Sequence, residues 1–233
     1  MIKKLGLLLL LATQAAAYAA DESAIVLVGT EFSASNAYSH AGYIAPLAGN
    51  TLKQGWNMLA FASWLSYNYT TLQNGQLVKV HATVPGVRGG MGYQWTAGDA
   101  AVGLSASLGY QNTQQTPYIP ATGKQGGAII LLPQVQLKYQ FTQQTDADFM
   151  ANYAIGQSSY WSHLRLGYQP RWDWRVGPEF GLQAGQNYRI AKAGLFAATP
   201  VLGGAMLEFN TGLQANLNPP KEWYVGVALS KSL

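Results

Sequence analysis

Ten residues near the middle of the chain, Val102 to Gln111, decide the fold class. They read VGLSASLGYQ, with apolar or aromatic side chains at every second position and Gly, Ser or Gln between them. Side chains of a β-strand point alternately to the two faces, so residues two apart share a face. The segment therefore predicts a strand with one apolar face and one polar, uncharged face.

The same alternation recurs along the chain. It is clear in residues 129–141, 146–155 and 174–184 and weaker in eight further segments, which are 24–34, 36–47, 56–70, 78–95, 159–169, 187–198, 203–215 and 222–231. Together these segments predict about twelve strands. The longest predicted connection, residues 112–126, carries Pro117, Pro120 and Gly123, which are typical of a loop.

The N-terminal segment predicts export. Lys3 and Lys4 precede an apolar run from Leu5 to Ala12, and Ala17-Tyr18-Ala19 fits the small-residue cleavage pattern. These features, in this order, are typical of a secretory signal peptide. The apolar run is too short for a membrane anchor helix. We expect residues 1–19 to be the signal peptide and residues 20–233 to form one domain.

The composition is unusual for a soluble protein. Only 10% of the residues are charged and 12% are aromatic, and the chain has no cysteine, whereas soluble domains have about 25% charged residues. The absence of cysteine excludes a disulfide scaffold and thiolate chemistry. The chain carries 14 basic and 10 acidic residues. Removing Lys3 and Lys4 leaves a small excess without a basic cluster, which argues against a nucleic-acid partner.

Export, low charge and alternating strands together predict the architecture. A single antiparallel transmembrane β-barrel of about 12 strands, in a bacterial outer membrane, would turn the apolar face to lipid and the polar face inward. The even strand number fits single-chain bacterial barrels. A soluble barrel would reverse the two faces, and it is the main structural alternative.

The ionisable residues predict a charge network inside this barrel. If the apolar face meets lipid, most charged side chains fall on the opposite face, where mixed signs should pair. The candidate network comprises Glu31, His40, His81, Arg88, His163, Arg165, Arg175 and Glu179. Arg189 is assigned to the same face. Lys192 breaks the pattern and predicts a bulge or a snorkelling side chain.

Catalysis is the weaker interpretation of these residues. Ser39 and His40 are adjacent, as are Ser162 and His163, so each pair should point to opposite faces of a strand. His40, His81 and His163 could converge on a metal, although they lie on separated strands. We expect no catalytic, cofactor-binding or metal site, and we favour structural pairing in the interior.

An ordered set of short motifs resembles a known family. The motifs include Tyr38-Ser39-His40-Ala41-Gly42-Tyr43, Val84-Pro85-Gly86, Ser159-Tyr160-Trp161, Arg165-Leu166-Gly167-Tyr168 and Gly177-Pro178-Glu179. In this order the chain resembles the BcsS-type cellulose-biosynthesis proteins of bacteria, over nearly the whole mature chain. The resemblance implies an outer-membrane barrel with a supporting role in making, exporting or anchoring cellulose.

The expected function follows from this resemblance. We expect a non-enzymatic outer-membrane accessory to cellulose biosynthesis or export. Its partners would be outer-membrane lipids, glucan chains and cellulose synthase secretion components. Trp64 and Trp161 could face inward as a stacking platform for glucan. A small porin-like passive channel and an outer-membrane lipid-modifying enzyme are the alternatives.

Overall fold

Twelve strands close into one antiparallel barrel in the computed structural model, which describes residues 23–119, 125–170, 173–185, 188–216 and 221–233. The strands are β1 (Ile25–Ser33), β2 (Asn36–Pro46), β3 (Gly55–Gln73), β4 (Gln76–Ala97), β5 (Ala100–Thr116), β6 (Gly126–Gln140), β7 (Thr145–Ala154), β8 (Ser159–Tyr168), β9 (Arg175–Gly185), β10 (Tyr188–Pro200), β11 (Met206–Asn216) and β12 (Lys221–Ser232). Each strand pairs with its neighbours in sequence. The predicted antiparallel barrel and its strand number are confirmed.

The two ends of the chain close the barrel. β1 pairs with β12 from Ile25 opposite Ser232 to Ser33 opposite Tyr224. The Leu233 N–H donates to the Ala24 carbonyl at 2.9 Å, and the Ser23 N–H donates to the Leu233 carbonyl at 3.0 Å. Closure leaves none of the twelve described strands with an unpaired edge that could pair with another chain. The predicted signal peptide, residues 1–19, lies outside the described residues and remains a prediction.

Alternation along the strands separates an apolar outside from a mixed inside. On β5, Leu104, Leu108 and Tyr110 are exposed, whereas Ser107 and Gln111 are buried. Large apolar side chains are exposed on the outer face of all twelve strands. The side chains that a soluble protein would bury are thus presented outward.

Aromatic side chains form two belts on the outer face. The lower belt is at the end of the barrel that holds both chain termini, and the upper belt is at the opposite end. The lower belt contains Trp56, Tyr93, Trp95, Tyr139, Phe141, Tyr168 and Trp174, and the upper belt contains Phe32, Trp64, Tyr110, Tyr153, Tyr160 and Trp223. Trp56 and Trp64 are about 26 Å apart along β3 at about 3.3 Å per residue. That spacing is close to the apolar band of about 25 Å in outer-membrane barrels.

Several strands are longer than the sequence predicted. β3 and β4 continue past the upper belt as a hairpin that turns at Asn74 and Gly75, both with positive φ. β5 runs to Thr116 and β6 begins at Gly126, so the predicted loop 112–126 shortens to 117–125. Pro120 and Gly123 lie outside the described residues. Within the described part of the chain, no helix is long and apolar enough to cross a bilayer.

Candidate functional site in the barrel interior

The centre of the barrel is held by a buried arginine between two carboxylates. Arg165 Nε and Nη2 each lie 2.9 Å from Glu179 Oε2, and Arg165 Nη1 lies 2.7 Å from Glu208 Oε1. These residues stand on β8, β9 and β11, and each occupies the inward-facing phase of its strand. Arg165 and Glu179 are both 2% exposed. Such a buried charge is tolerated only when it is paired and hydrogen-bonded.

Glu179 collects further partners on its two oxygens. Tyr224 Oη donates to Oε1 at 2.7 Å, and Asn210 Nδ2 donates to the same oxygen at 3.0 Å. His163 Nε2 lies 3.3 Å from Oε2. Glu179 is therefore a structural anchor whose acceptor sites are occupied by the protein itself.

Two more ion pairs lie on either side of this centre. Toward the lower end, Arg175 pairs with Asp146, which is 5% exposed. Toward the upper end, Lys192 pairs with Glu31 across the interior. The Phe196 ring lies between two guanidinium groups, 4.7 Å from Arg165 Cζ and 4.8 Å from Arg175 Cζ. Arg165, Arg175 and Lys192 on this side of the barrel are thus each paired with a carboxylate.

The interior on the opposite side is organised differently. Arg88 on β4 lies over the Phe61 ring at 4.1 Å, and no carboxylate among the described residues pairs with it. His40 stacks on Tyr38 with ring centroids 5.5 Å apart. The predicted network therefore divides into a paired group and the unpaired Arg88, while His40 lines one cavity together with His163 and Arg165.

The predicted interior position of His81 is wrong. It is exposed on the outer side of the β3–β4 hairpin, with Nδ1 3.1 Å from Asn68 Oδ1. Val80, Ala82 and Val84 face inward there and are buried. This part of the hairpin lies beyond the upper belt. The pairing of β4 with β3 is uninterrupted, so His81 and Arg88, seven residues apart, point to opposite faces. Beyond the upper belt the apolar residues occupy the inward face of β4 instead of the outward face.

β10 supplies a second correction. Ile190, Lys192 and Phe196 face inward, whereas Arg189 and Leu195 are exposed on the outer side. The pairing of β10 with β9 and β11 runs without interruption, so no bulge occurs at Lys192. Lys192 follows the regular alternation, and the predicted interior position of Arg189 is wrong.

Apolar clusters fill much of the remaining interior. One cluster joins Leu52 from the lower β2–β3 turn to residues of facing strands, which include Ile25, Leu27, Phe61, Ile130, Leu132, Met150 and Trp161. The other packs side chains of the upper β3–β4 hairpin against Ile190 on β10, and it contains Tyr38, Leu65, Tyr67, Ala82 and Val84. The interior is therefore obstructed by two apolar clusters.

The two adjacent Ser–His pairs do not come together in the described interior. His40 faces inward while Ser39 accepts or donates a hydrogen bond with Thr30 on the outer face, at 2.9 Å. Ser162 and His163 likewise take opposite faces. No group of three or more His, Asp or Glu side chains among the described residues has metal-binding geometry.

Sequence reasoning missed several members of the central cluster. Asn210, Tyr224 and Phe196 contact the charged groups, but none of them is ionised at neutral pH. The inward phase of Asn210 on β11 and of Tyr224 on β12 was the available signal, whereas the sequence of β10 does not select a face for Phe196. Of the proposed stacking pair, Trp161 is buried inside and Trp64 is 53% exposed on the outer face.

Comparison with solved structures shows the fold. The COG4313 outer membrane channel from Pseudomonas putida F1 matches with a TM-score of 0.60 and 10% identity, over 96% of this chain and 100% of that one. The KdgM porin matches with a TM-score of 0.53 and 9% identity, over 90% and 99%. The toluene transporter TodX from Pseudomonas putida matches with a TM-score of 0.50 and 12% identity, over 91% and 89%.

Comparison of sequences shows the family. No curated protein matches the chain. A family model described as cellulose biosynthesis protein BcsS matches residues 25–233, which is the whole barrel from its first strand to the last residue. The chain belongs to the BcsS family of cellulose biosynthesis proteins.

Proposed function

We propose that this chain is an outer-membrane barrel that supports cellulose production without catalysing a reaction. The family match over residues 25–233 carries the proposal. The filled interior agrees with a structural or binding role. Glucan chains and cellulose synthase secretion components are the partners that this role implies, and outer-membrane lipids would surround the barrel.

The outer face supports the proposed location. Exposed apolar side chains cover the wall between the two aromatic belts, which is how membrane barrels meet lipid and its two interfaces. The ion pairs Arg165–Glu179 and Arg175–Asp146 lie inside, away from that face. The structural neighbours include an outer membrane channel and a porin.

A clean deletion strain tests the proposal. We expect cellulose, measured by mass and by dye binding, to be lost or released from the cells, while a plasmid copy restores it and the tagged protein fractionates with the outer membrane. Complementation with a His81→Ala variant is the matched control, because His81 lies outside the interior. Unchanged cellulose in the deletion strain would reject the accessory role.

A passive channel is the second candidate, and one observation favours it. The structural neighbours KdgM, TodX and the Pseudomonas putida F1 protein are named as a porin, a transporter and a channel. In this chain the two apolar clusters would have to move before solute could pass. Step conductance in planar bilayers separates the two candidates.

A further inference from the structure

Exposed charges are distributed unevenly between the two ends of the barrel. Among the described residues, the exposed Lys and Arg side chains at or above the upper belt are Lys79, Arg189 and Lys221. The exposed carboxylates of the described residues, Asp99 and Asp173, both lie in turns at the lower end. The outer surface at the upper end is therefore cationic, without an exposed carboxylate in the described part of the chain.

Arg189 and Lys221 lie close together on this surface. Ala191 on β10 is opposite Ala215 on β11, which is in turn opposite Lys221 on β12. Arg189 is two residues further up β10, so strand spacings of about 4.8 Å and a rise of about 3.3 Å per residue put its Cα about 12 Å from that of Lys221. The alanines between them are small, so the two long side chains can reach a common ligand.

The acidic neighbour of Lys221 does not neutralise it. Glu222 points to the opposite face of β12, where its Oε2 accepts a hydrogen bond from the Ser35 hydroxyl at 2.7 Å. No carboxylate among the described residues forms an ion pair with Arg189 or Lys221. These two positive charges are thus available to a ligand outside the barrel.

The surface below the two cations is typical of a membrane interface. Trp223 lies two residues below Lys221 on the outward face of β12, and it is exposed as part of the upper aromatic belt. Leu195 and Val225 lie further down and are also exposed. Tryptophan is enriched where the apolar band of a membrane meets the headgroups. Arg189 and Lys221 therefore lie at the depth of the lipid headgroups.

We propose that Arg189 and Lys221 bind a phosphorylated lipid headgroup of the outer leaflet. The guanidinium group of Arg189 has paired N–H donors that match phosphate oxygens, and Lys221 adds a second positive charge. The acyl chains of this lipid would lie along Leu195 and Val225. Outer-membrane barrels place their longer connections on the extracellular side, and the upper end carries the long β3–β4 hairpin. The choice of leaflet thus rests on the proposed outer-membrane location.

Native mass spectrometry of the purified protein in detergent tests the site. The probe is diphosphoryl lipid A, and the comparison lipid is lipid A from which both phosphates have been removed. We expect the unmodified protein to retain the phosphorylated lipid preferentially. Arg189→Gln and Lys221→Gln should each weaken its binding about fivefold, and the double variant about 25-fold, which is the usual effect of removing basic residues beside an anionic lipid surface.

Lys231→Gln is the matched control. Lys231 is also an exposed lysine of β12, but it lies at the lower end of the barrel. Its replacement should leave lipid A binding unchanged. Arg189→Lys keeps the positive charge and should retain most of the affinity that Arg189→Gln loses. Heat-dependent gel migration establishes that each variant is folded.

The outcomes separate this inference from the proposed function. Lipid A binding that is weakened by Arg189→Gln and Lys221→Gln, but not by Lys231→Gln, supports the site. Equal binding of the two lipids, or unchanged binding by the double variant, would overturn it. Displacement of lipid A by equimolar inorganic phosphate would assign the two cations to free phosphate and would also overturn it. The cellulose output of the deletion strain tests the proposed function independently, so the two can fail separately.

Discussion

Arg165 is the residue on which the central charge cluster depends. It is 2% exposed and is the shared partner of Glu179 and Glu208. Replacing Arg165 with Met would leave the two carboxylates without their cation. Removing one partner of a buried ion pair costs about 3–5 kcal/mol, and we expect the lower end because Asn210 and Tyr224 still donate to Glu179. Urea unfolding in lipid vesicles, followed by tryptophan fluorescence, measures the change.

His81→Ala is the control for this prediction. His81 is exposed and contacts Asn68 on the same hairpin, and surface substitutions of this kind change stability by less than about 0.5 kcal/mol. Equal effects of Arg165→Met and His81→Ala on the free energy of unfolding would contradict the assignment of Arg165 as a buried anchor.

The partners in this cluster could be predicted only in part. Alternation within a strand puts Arg165 and Glu179 on the inward face, and the structure has them there. Alternation does not tell which strands face each other across the interior. The ion pair between Arg165 on β8 and Glu208 on β11 could therefore be identified only from the structure of the closed barrel. Neutral partners such as Tyr224 lack any charge signal.

At the scale of the element, the apolar residues of β4 change from one face of the strand to the other. From Val87 to Trp95 its apolar side chains point outward, whereas Val80, Ala82 and Val84 point inward. The strand is continuous, and what changes is its surroundings beyond the upper aromatic belt. The sequence predicted strand position and number well, but it could not show where the strand leaves the apolar band.

β10 was mispredicted for a different reason. Leu195 and Phe196 are adjacent and both apolar, and alanines occupy both phases of the strand, so the period does not select a face. The uninterrupted pairing with β9 and β11 selects it instead. Lys192 then lies inside, beside Glu31 and 5.1 Å from the Tyr224 ring.

Spin labels on β10 test which of its side chains face outward. Leu195 is 63% exposed and Ala198 is 6% exposed, so a label at Leu195→Cys should meet lipid and one at Ala198→Cys should not. In vesicles we expect oxygen, which concentrates in lipid, to relax the first label much more than the second. The reverse order would show that β10 has the opposite phase, in which Arg189 faces inward.

At the scale of the whole molecule, the interior is obstructed rather than open. The apolar cluster around Phe61 and the cluster that joins the β3–β4 hairpin to Ile190 each connect strands on opposite sides of the barrel. The ion pairs Arg165–Glu208 and Lys192–Glu31 also join strands that are not neighbours in the barrel. Ions do not pass an apolar obstruction readily.

The obstructed interior predicts that the barrel does not conduct ions. Reconstituted protein should give no steady step conductance in a planar bilayer, because both clusters would have to separate for ions to pass. A known open porin, prepared in the same detergent, is the control for successful insertion. Regular conductance steps from the unmodified protein would favour the passive channel.

Both functional proposals depend on the barrel wall separating lipid from a packed interior, and two tryptophans test this most directly. Trp64 is 53% exposed on the outer face and Trp161 is 4% exposed inside. Single-tryptophan proteins that keep one or the other, with the remaining six changed to Phe, would be placed in vesicles of brominated lipid. We predict strong quenching of Trp64 and little quenching of Trp161. Equal quenching of the two, or stronger quenching of Trp161, would contradict the account.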